Sequence, residues 1–359
     1  MRAIHVCHVI SDSNVGGAGI LLCNLLTCLD ESVVSTVILP RNSALIPRIE
    51  KTGARIIQAP ISPDRSLSAR GLFFLLRTLR ALRPDAVHTS GALTARLCAR
   101  MLGIPAINTR HCDTKMHYPF YSATTDFTVA TSLGVLEGLS YVSPTRKQFI
   151  PNGSLPVQKT TENERLFVRR SLEIPDKAKV VGFVGRLERI KGADVFLHAA
   201  KLLCEKINDV YFVIVGDGGE KANLRALCRE LGIEKCVRFV GYTENVARYM
   251  NIFDAGVNSS LGSETCSLAI SEMLSLGVPV VASDIDGNRY MLKGGAGLLF
   301  PCSDARALSD ALYSLFCDEA RRKRLSCAGY VSYKAFFCAD AMARSYERLY
   351  KRIVFERKL

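Results

Sequence analysis

The chain has 359 residues, 48% of them apolar, with 47 Lys+Arg against 34 Asp+Glu. That length fits about two domains, and the apolar fraction excludes disorder over most of the chain. No apolar run approaches the ~18 residues of a spanning helix, and no internal repeat of ~20–50 residues is visible.

Residues 1–17 read as a strand and a glycine turn rather than a secretion signal. Beyond them, strand-like and helix-like runs alternate. The first series places strands at 4–10, 36–39, 55–59, 86–89, 106–110 and 127–130, with helical patterns such as 17–29 and 67–82 between them. A second series follows Pro151-Asn152-Gly153 and a polar stretch, with strands at 180–185, 210–216, 237–241, 255–258, 278–282 and 297–300. Apolar, β-branched strands alternating with helices predict parallel sheets covered on both faces. Two series predict an α/β chain of two Rossmann-like, doubly wound domains. The Pro and Gly punctuation divides them into 1–155 and 156–336. The helical tail, about 337–359, has no strand after it and is expected to pack back onto the first domain. Ligands of open parallel sheets bind at strand carboxyl ends. Two facing domains would therefore share a cleft, and the informative residues are those just after strands.

Thirteen cysteines are scattered without a C-x-x-C pair. This argues against a disulfide scaffold or a zinc site and for small apolar fillers in a reducing cytoplasm. His5 and His8 are three apart on a strand and so point to opposite faces, which disfavours a metal site. The net charge of +13 points to an anionic partner. Residues 1–155 hold 16 Lys+Arg against 9 Asp+Glu, so the excess is spread over both halves. Nucleic acid is the weakest candidate, because the basic residues lack interleaved aromatics and no known binding motif is present.

Three segments carry candidate chemistry. The first strand runs into Asp12-Ser13-Asn14-Val15-Gly16-Gly17, where glycines and a helix start would let the backbone approach an anion. A tight turn is the plainer reading. The second half opens with Gly185-Arg186-Leu187-Glu188-Arg189-Ile190-Lys191-Gly192, in which Arg186 and Lys191 flank a turn. Together they could neutralise a diphosphate; a solvated basic loop is the alternative. The most informative segment is Ser263-Glu264-Thr265-Cys266-Ser267-Leu268, continuing through Glu272 to Gly277-Val278-Pro279-Val280. Thr265 or Ser267 could cap a helix there, turning its first N–H groups toward an anion. Glu272 would sit on an apolar helix and need donors, which a ribose diol supplies. A salt bridge within the fold would serve it equally.

These residues resemble a family. The E-x7-E spacing of Glu264 and Glu272, the preceding G-R-x5-K and the following G-x-P-V-V look like the retaining GT-B glycosyltransferases of family 4 (group 1). Ile150-Pro151-Asn152-Gly153, Val215-Gly216-Asp217-Gly218 and Val237-Arg238-Phe239-Val240-Gly241 extend the resemblance over most of the chain. The resemblance implies a two-domain GT-B fold and sugar transfer, with retention, from a nucleoside diphosphate sugar, UDP being the commonest. It implies that Glu264 holds donor-sugar hydroxyls and that the amides of Cys266, Ser267 and Leu268 bind diphosphate. Glu272 would bind the ribose, and Arg186 and Lys191 the departing diphosphate. Gly16, Gly17 and Gly185 would admit backbone to the phosphates, Gly241 would line the base pocket, and Asn152 would contribute from the turn between the halves. His111 matches a family histidine near the sugar, although a histidine satisfied in a loop reads almost as well.

The common E-G-F-G is here Glu264-Thr265-Cys266-Ser267. The loss of both glycines puts the local backbone path in question. Cys266 at a helix N-terminus is expected to be reactive. Asp284-Ile285-Asp286 spells the D-x-D of metal-dependent transferases of another fold, but lacks a third oxygen partner, so a structural role is expected. No cofactor and no metal are expected. Three basic clusters, on 69–83, 321–324 and 344–352, each read best alone as solvated helix faces, but with the +13 charge they suggest an anionic glycan or lipid-linked acceptor, which the resemblance sets in cell-surface polysaccharide synthesis. They also suggest a cytoplasmic enzyme resting peripherally on the anionic inner membrane face. The rival readings are a nucleotide-sugar 2-epimerase of the same fold and a non-catalytic nucleotide-sugar-binding protein.

Overall fold

The computed structural model describes residues 2–11, 15–60, 68–111, 124–262 and 264–356. Two compact units emerge, Met1–Leu155 with Ala339–Leu359, and Pro156–Cys338.

The first unit holds a parallel sheet of β1 (Ile4–Ile10), β2 (Val33–Pro40), β3 (Arg55–Ala59), β4 (Ala86–Ser90), β5 (Ala106–Arg110), β6 (Phe127–Ala130) and β7 (Lys147–Phe149), ordered 3-2-1-4-5-6-7. Alternation along the strands fills both faces. Cys7, Val9 and Ile38 meet the helices Ala69–Leu82 and Leu93–Met101, while Ile10, Val37 and Leu39 meet the helix Gly17–Cys28. β2 begins three residues earlier than its apolar pattern suggests, and the short β7 was not anticipated. Leu67, the expected start of the helical pattern at 67–82, lies outside the described residues.

The tail helix Ala339–Glu356 belongs to this unit. Ala339 N–H donates to the Ser154 carbonyl at 2.8 Å, and Asp30 N–H donates to Glu347 at 3.0 Å. The Tyr346 hydroxyl lies 2.8 Å from Thr109 Oγ1, and the Tyr350 hydroxyl 2.8 Å from His88 Nδ1. His5 reaches Thr36 at 2.9 Å and His8 reaches Ser35 at 3.3 Å. Those are adjacent β2 residues, so the two imidazoles lie on opposite faces.

The second unit holds β8 (Lys179–Val184), β9 (Val210–Val215), β10 (Val237–Gly241), β11 (Ala255–Asn258), β12 (Val280–Ser283) and β13 (Leu298–Phe300), again parallel, ordered 10-9-8-11-12-13. Its core is built on Val181, Phe183, Phe196, Phe212 and Ile214, with the Phe196 ring between those of Phe183 and Phe212. β12 starts at Val280, after Pro279, which has no N–H for the ladder. The order of strands reverses between β1 and β4 and between β8 and β11, the switch points at which doubly wound sheets bind ligands.

Candidate active site

β8 and β11 are paired, so the loops that leave them emerge side by side. Behind β8 come Gly185 and the exposed Arg186, then the tight turn Arg189–Lys191, closed by Lys191 N–H on the Glu188 carbonyl at 2.9 Å. Gly192 ends that turn at φ 62°, and a Cβ on it would stand 2.1 Å from the Ser259 carbonyl. Only glycine both adopts that backbone and lets the two loops touch. Ser259 Oγ donates to the Gly192 carbonyl at 2.8 Å and fixes the contact.

The contact delivers Lys191 to Glu264. Lys191 Nζ donates to Glu264 Oε2 at 2.5 Å, and Ser260 Oγ donates to the same oxygen at 2.8 Å. The two side chains are 26% and 12% exposed, which limits screening by solvent and salt. A Cβ on Gly287 would lie 2.1 Å from the Glu264 carbonyl and 2.5 Å from that of Thr265. The helix Asp286–Met291 therefore supports the Glu264 loop by direct backbone contact. Ser263 lies outside the described residues.

The helix Leu268–Leu276 follows. Of the two candidate caps the structure selects Ser267, whose Oγ accepts from Ile270 N–H at 3.4 Å and from Asn258 Nδ2 at 3.2 Å. The first N–H groups of a helix have no acceptor within it, and the dipole gives them a partial positive charge. The helix begins four residues after Glu264. Glu272 lies one turn further on. Among the described residues no hydrogen bond or ion pair reaches its carboxylate, and burial pushes its pKa up to about 7. A half-buried carboxylate without donors gains when a ligand supplies them. Gly241 closes β10 at φ 85°, two strands away from β8, and its carbonyl accepts Gly216 N–H at 2.9 Å.

The remaining predicted residues belong to the first unit. Gly16 caps the helix Gly17–Cys28, and a Cβ on Gly17 would meet nothing within 4 Å, so packing within the protein does not require glycine there. The preceding Asp12-Ser13-Asn14 turn lies outside the described residues. His111 follows β5, with Nε2 3.3 Å from Ser90 Oγ. Burial lowers its pKa to about 4, so the ring is neutral at pH 7. Together with Ser90, Asn152 and Tyr346 it lines a hollow of about 20 Å³, room for about one water.

One expectation changes and one holds. Cys266 is 5% exposed, which shields it from reagents and opposes the expected reactivity. Asp284 and Asp286 both bind one guanidinium, that of Arg289, at 2.8 and 3.1 Å, which makes the D-x-D an ion-pair clamp. Among the described residues no group of three or more His, Cys, Asp or Glu could hold a metal ion. Sequence reasoning passed over Asn258, Ser259, Ser260 and Gly287. The signal for the first three is a run of small polar residues at a strand's carboxyl end. A hollow of about 640 Å³ opens at the opposite end of the second sheet, around Asp254, Pro279 and Arg322, but Arg322 and Asp254 bind each other there at 3.5 Å.

Residues 15–153 match the family Glycosyltransferase Family 4, and residues 164–331 match Glycosyl transferases group 1. The chain is 36% identical over 175 residues to a D-inositol 3-phosphate glycosyltransferase of Corynebacterium urealyticum, covering 46% of this chain and 40% of that one. It is 29% identical over 182 residues to the lipopolysaccharide core biosynthesis glycosyltransferase LpsE of Rhizobium meliloti, covering 50% and 52%. The matches thus span about half the length of these relatives. Among solved structures, Anabaena Alr3699/HepE in complex with UDP superposes with a TM-score of 0.83 at 17% identity, over 97% of this chain and 99% of that one. A glycosyltransferase from Rickettsia africae gives 0.86 at 16% identity, over 99% of each. At these identities the likeness shows the fold.

Proposed function

Because the chain belongs to the family 4, group 1 glycosyltransferases and has their GT-B fold, we propose that it moves a sugar from a nucleoside diphosphate sugar to an acceptor hydroxyl, with retention at the anomeric carbon. The observation that carries this reading is the Lys191–Glu264 pair beside the Ser267-capped helix start. A carboxylate with one oxygen anchored by Ser260 and Lys191 presents its remaining lone pairs to sugar hydroxyls. In this reading the helix amides, Arg186 and Lys191 stabilise the charge that develops on the leaving diphosphate. Groups of this kind stabilise a transition state because they are already oriented when the charge appears. In this reading cationic side chains and amides supply the charge, and the reaction needs no metal. Glu272 holds the ribose diol. The departing phosphate takes the acceptor proton on the face it leaves, which keeps the configuration.

UDP is the proposed nucleotide, supported by the UDP and UDP-glucose complexes of the HepE neighbour. The acceptor is proposed to be a glycan or lipid-linked glycan of cell-surface polysaccharide synthesis, supported by relatives named for inositol phosphate and lipopolysaccharide core. The helix Ala69–Leu82 leaves Arg70, Arg77 and Arg80 exposed beside Phe73, itself 70% exposed. The cluster at 321–324 is partly spent within the fold, since Arg322 binds Asp254 and Lys323 binds Glu319. The exposed Phe73 among its cations makes the first face the one proposed to rest on an anionic membrane. Among the described residues no helix is long and apolar enough to cross one.

The deciding experiment incubates the purified chain with UDP, GDP and ADP sugars. Thermal shift identifies the donor, and product analysis separates the rivals. Release of nucleoside diphosphate with a glycosylated acceptor, its anomeric configuration read by NMR, supports transfer. An isomerised free sugar would mean an epimerase. Binding without turnover of any kind would mean a sensor. Sedimentation with anionic but not neutral liposomes supports the membrane face, and equal binding to both removes it.

A further inference from the structure

Two thiols of the second unit stand in contact away from the candidate active site. Cys204 is the last residue of the helix Ala193–Cys204, and Cys236 immediately precedes β10. Their Sγ atoms are 3.3 Å apart, a thiol–thiol hydrogen-bond contact that a bond of ~2.05 Å would shorten by little more than an ångström. Both are half-buried in one apolar cluster with Ile207 and Leu231 as neighbours, so each is partly open to small solutes. Phe212 N–H of β9 bonds the Cys236 carbonyl at 2.8 Å and Cys236 N–H bonds the Ile233 carbonyl at 3.1 Å, which fixes the backbone of Cys236. The contact with Cys204 holds the Cys236 thiol below its usual range, helped by Arg238 and Lys201, while the same contact pushes Cys204 up. Cys236 is therefore the better nucleophile of the two at neutral pH.

We propose that Cys204 and Cys236 form a redox modification site. A low-molecular-weight disulfide converts them to an intramolecular disulfide that staples the end of the helix Ala193–Cys204 to the start of β10. Cys236 thiolate attacks one sulfur of glutathione disulfide, making a mixed disulfide and expelling one glutathione thiolate. Cys204 then loses its proton to solvent and attacks Cys236 Sγ, expelling the second glutathione thiolate. The two protein thiols lose two electrons and two protons, and glutathione disulfide gains them as two thiols. The link closes a loop containing β9 and the helix Lys221–Glu230, which restricts the unfolded chain of this unit and raises its stability. This inference does not depend on the sugar-transfer reading.

The test oxidises the native full chain with glutathione disulfide, blocks free thiols with an alkylating reagent and maps tryptic peptides without reduction. Cys204 falls in peptide 202–206, Cys236 in 236–238 and Cys228 in 226–229, so the pairings separate cleanly. The expected product joins 202–206 to 236–238, less two hydrogens, while the exposed Cys302, Cys317 and Cys327 carry glutathione or alkyl groups. Dithiothreitol should restore both thiols, and the linked protein should melt several degrees higher than the reduced form. Cys204→Ser and Cys236→Ser should each abolish both the link and the rise. Cys236 joined to Cys228, Cys204 and Cys236 recovered alkylated, or an unmoved melting temperature in the linked protein would overturn the proposal.

Discussion

Lys191 and Glu264 are separated by 73 positions, yet they share one oxygen–nitrogen contact because β8 and β11 are neighbours. The sequence names both residues through their places after strands. It does not contain the Ser259–Gly192 contact that brings them together, since that follows from which strands pair. Lys191→Ala removes a preorganised cation and should lower kcat by about 10²–10³, measured as nucleoside diphosphate release at saturating donor. Unchanged turnover would remove the role. Glu272 supports a prediction of the opposite kind. Its folded pKa, up to about 7, lies above the unfolded carboxyl value of about 4.3. Between those values the folded state binds the extra proton, so the contribution to stability is present below the unfolded value and is lost as pH rises through about 7. Glu272→Gln should therefore stabilise the ligand-free protein at pH 8 more than at pH 5, and it should weaken nucleotide binding. Denaturation at the two pH values and a titration with UDP measure both. A variant that is no more stable at pH 8 and binds UDP as before would show that the carboxylate finds partners within the protein.

At the scale of elements, the parallel strands and most of their bounds follow from apolar, β-branched runs, because a strand buried on both faces leaves few other sequences possible. The exceptions have local causes. β7 is three residues, Lys147-Gln148-Phe149, with too little apolar pattern to stand out, and it exists because β6 offers an edge to pair with. The cap of the helix Leu268–Leu276 could not be chosen between Thr265 and Ser267, since the choice depends on Asn258 reaching Ser267 across the sheet end. The loss of the two glycines in Glu264-Thr265-Cys266-Ser267 left the loop's path open. The structure carries that loop on Gly287, which comes from a different element. Gly287→Ala would drive a Cβ into the Glu264 and Thr265 carbonyls and force the loop to move. A carboxylate displaced by about 1 Å costs about 10²-fold in rate. Turnover should fall by that order while the unit remains folded by circular dichroism. Wild-type turnover would mean that the loop does not position the reacting sugar.

On the scale of the whole molecule, the chain leaves the first unit after Leu155 and returns to it at Ala339, so the first unit is completed only by the last residues. What receives the returning helix is a buried histidine cluster. The His8 and His88 rings lie 5.4 Å apart, the Tyr346 ring lies 5.1 Å from that of His88, the Tyr350 ring meets it edge-on, and Thr109 lies 2.8 Å from His88 Nε2. A neutral imidazole offers Tyr350 and Thr109 one donor and one acceptor, whereas an imidazolium offers two donors and forces one hydroxyl to turn round. Burial lowers the pKa of His8 to about 3, of His111 to about 4 and of His88 well below its usual value, with His8 and His111 adding to the last by like-charge repulsion. Unfolded, each histidine takes its proton near pH 6.5. Below that value the unfolded state binds more protons than the folded one, so stability is full above about pH 6.5 and drains as the pH falls, by up to about 1.4 kcal/mol per pH unit for each histidine. The first unit should therefore be acid-labile, and the tail helix should be released with it. Hydrogen exchange of the full chain at pH 7, 6 and 5, corrected for the intrinsic rate, should show protection at residues 339–356 falling more steeply than protection in β8 and β9. The cluster packed against the tail holds three histidines, whereas the core of β8 and β9 is built from Val, Phe and Ile. His88→Gln should remove one proton's share of that slope. Equal pH slopes in the two units, or a slope untouched by the variant, would separate the helix's attachment from the histidines beneath it.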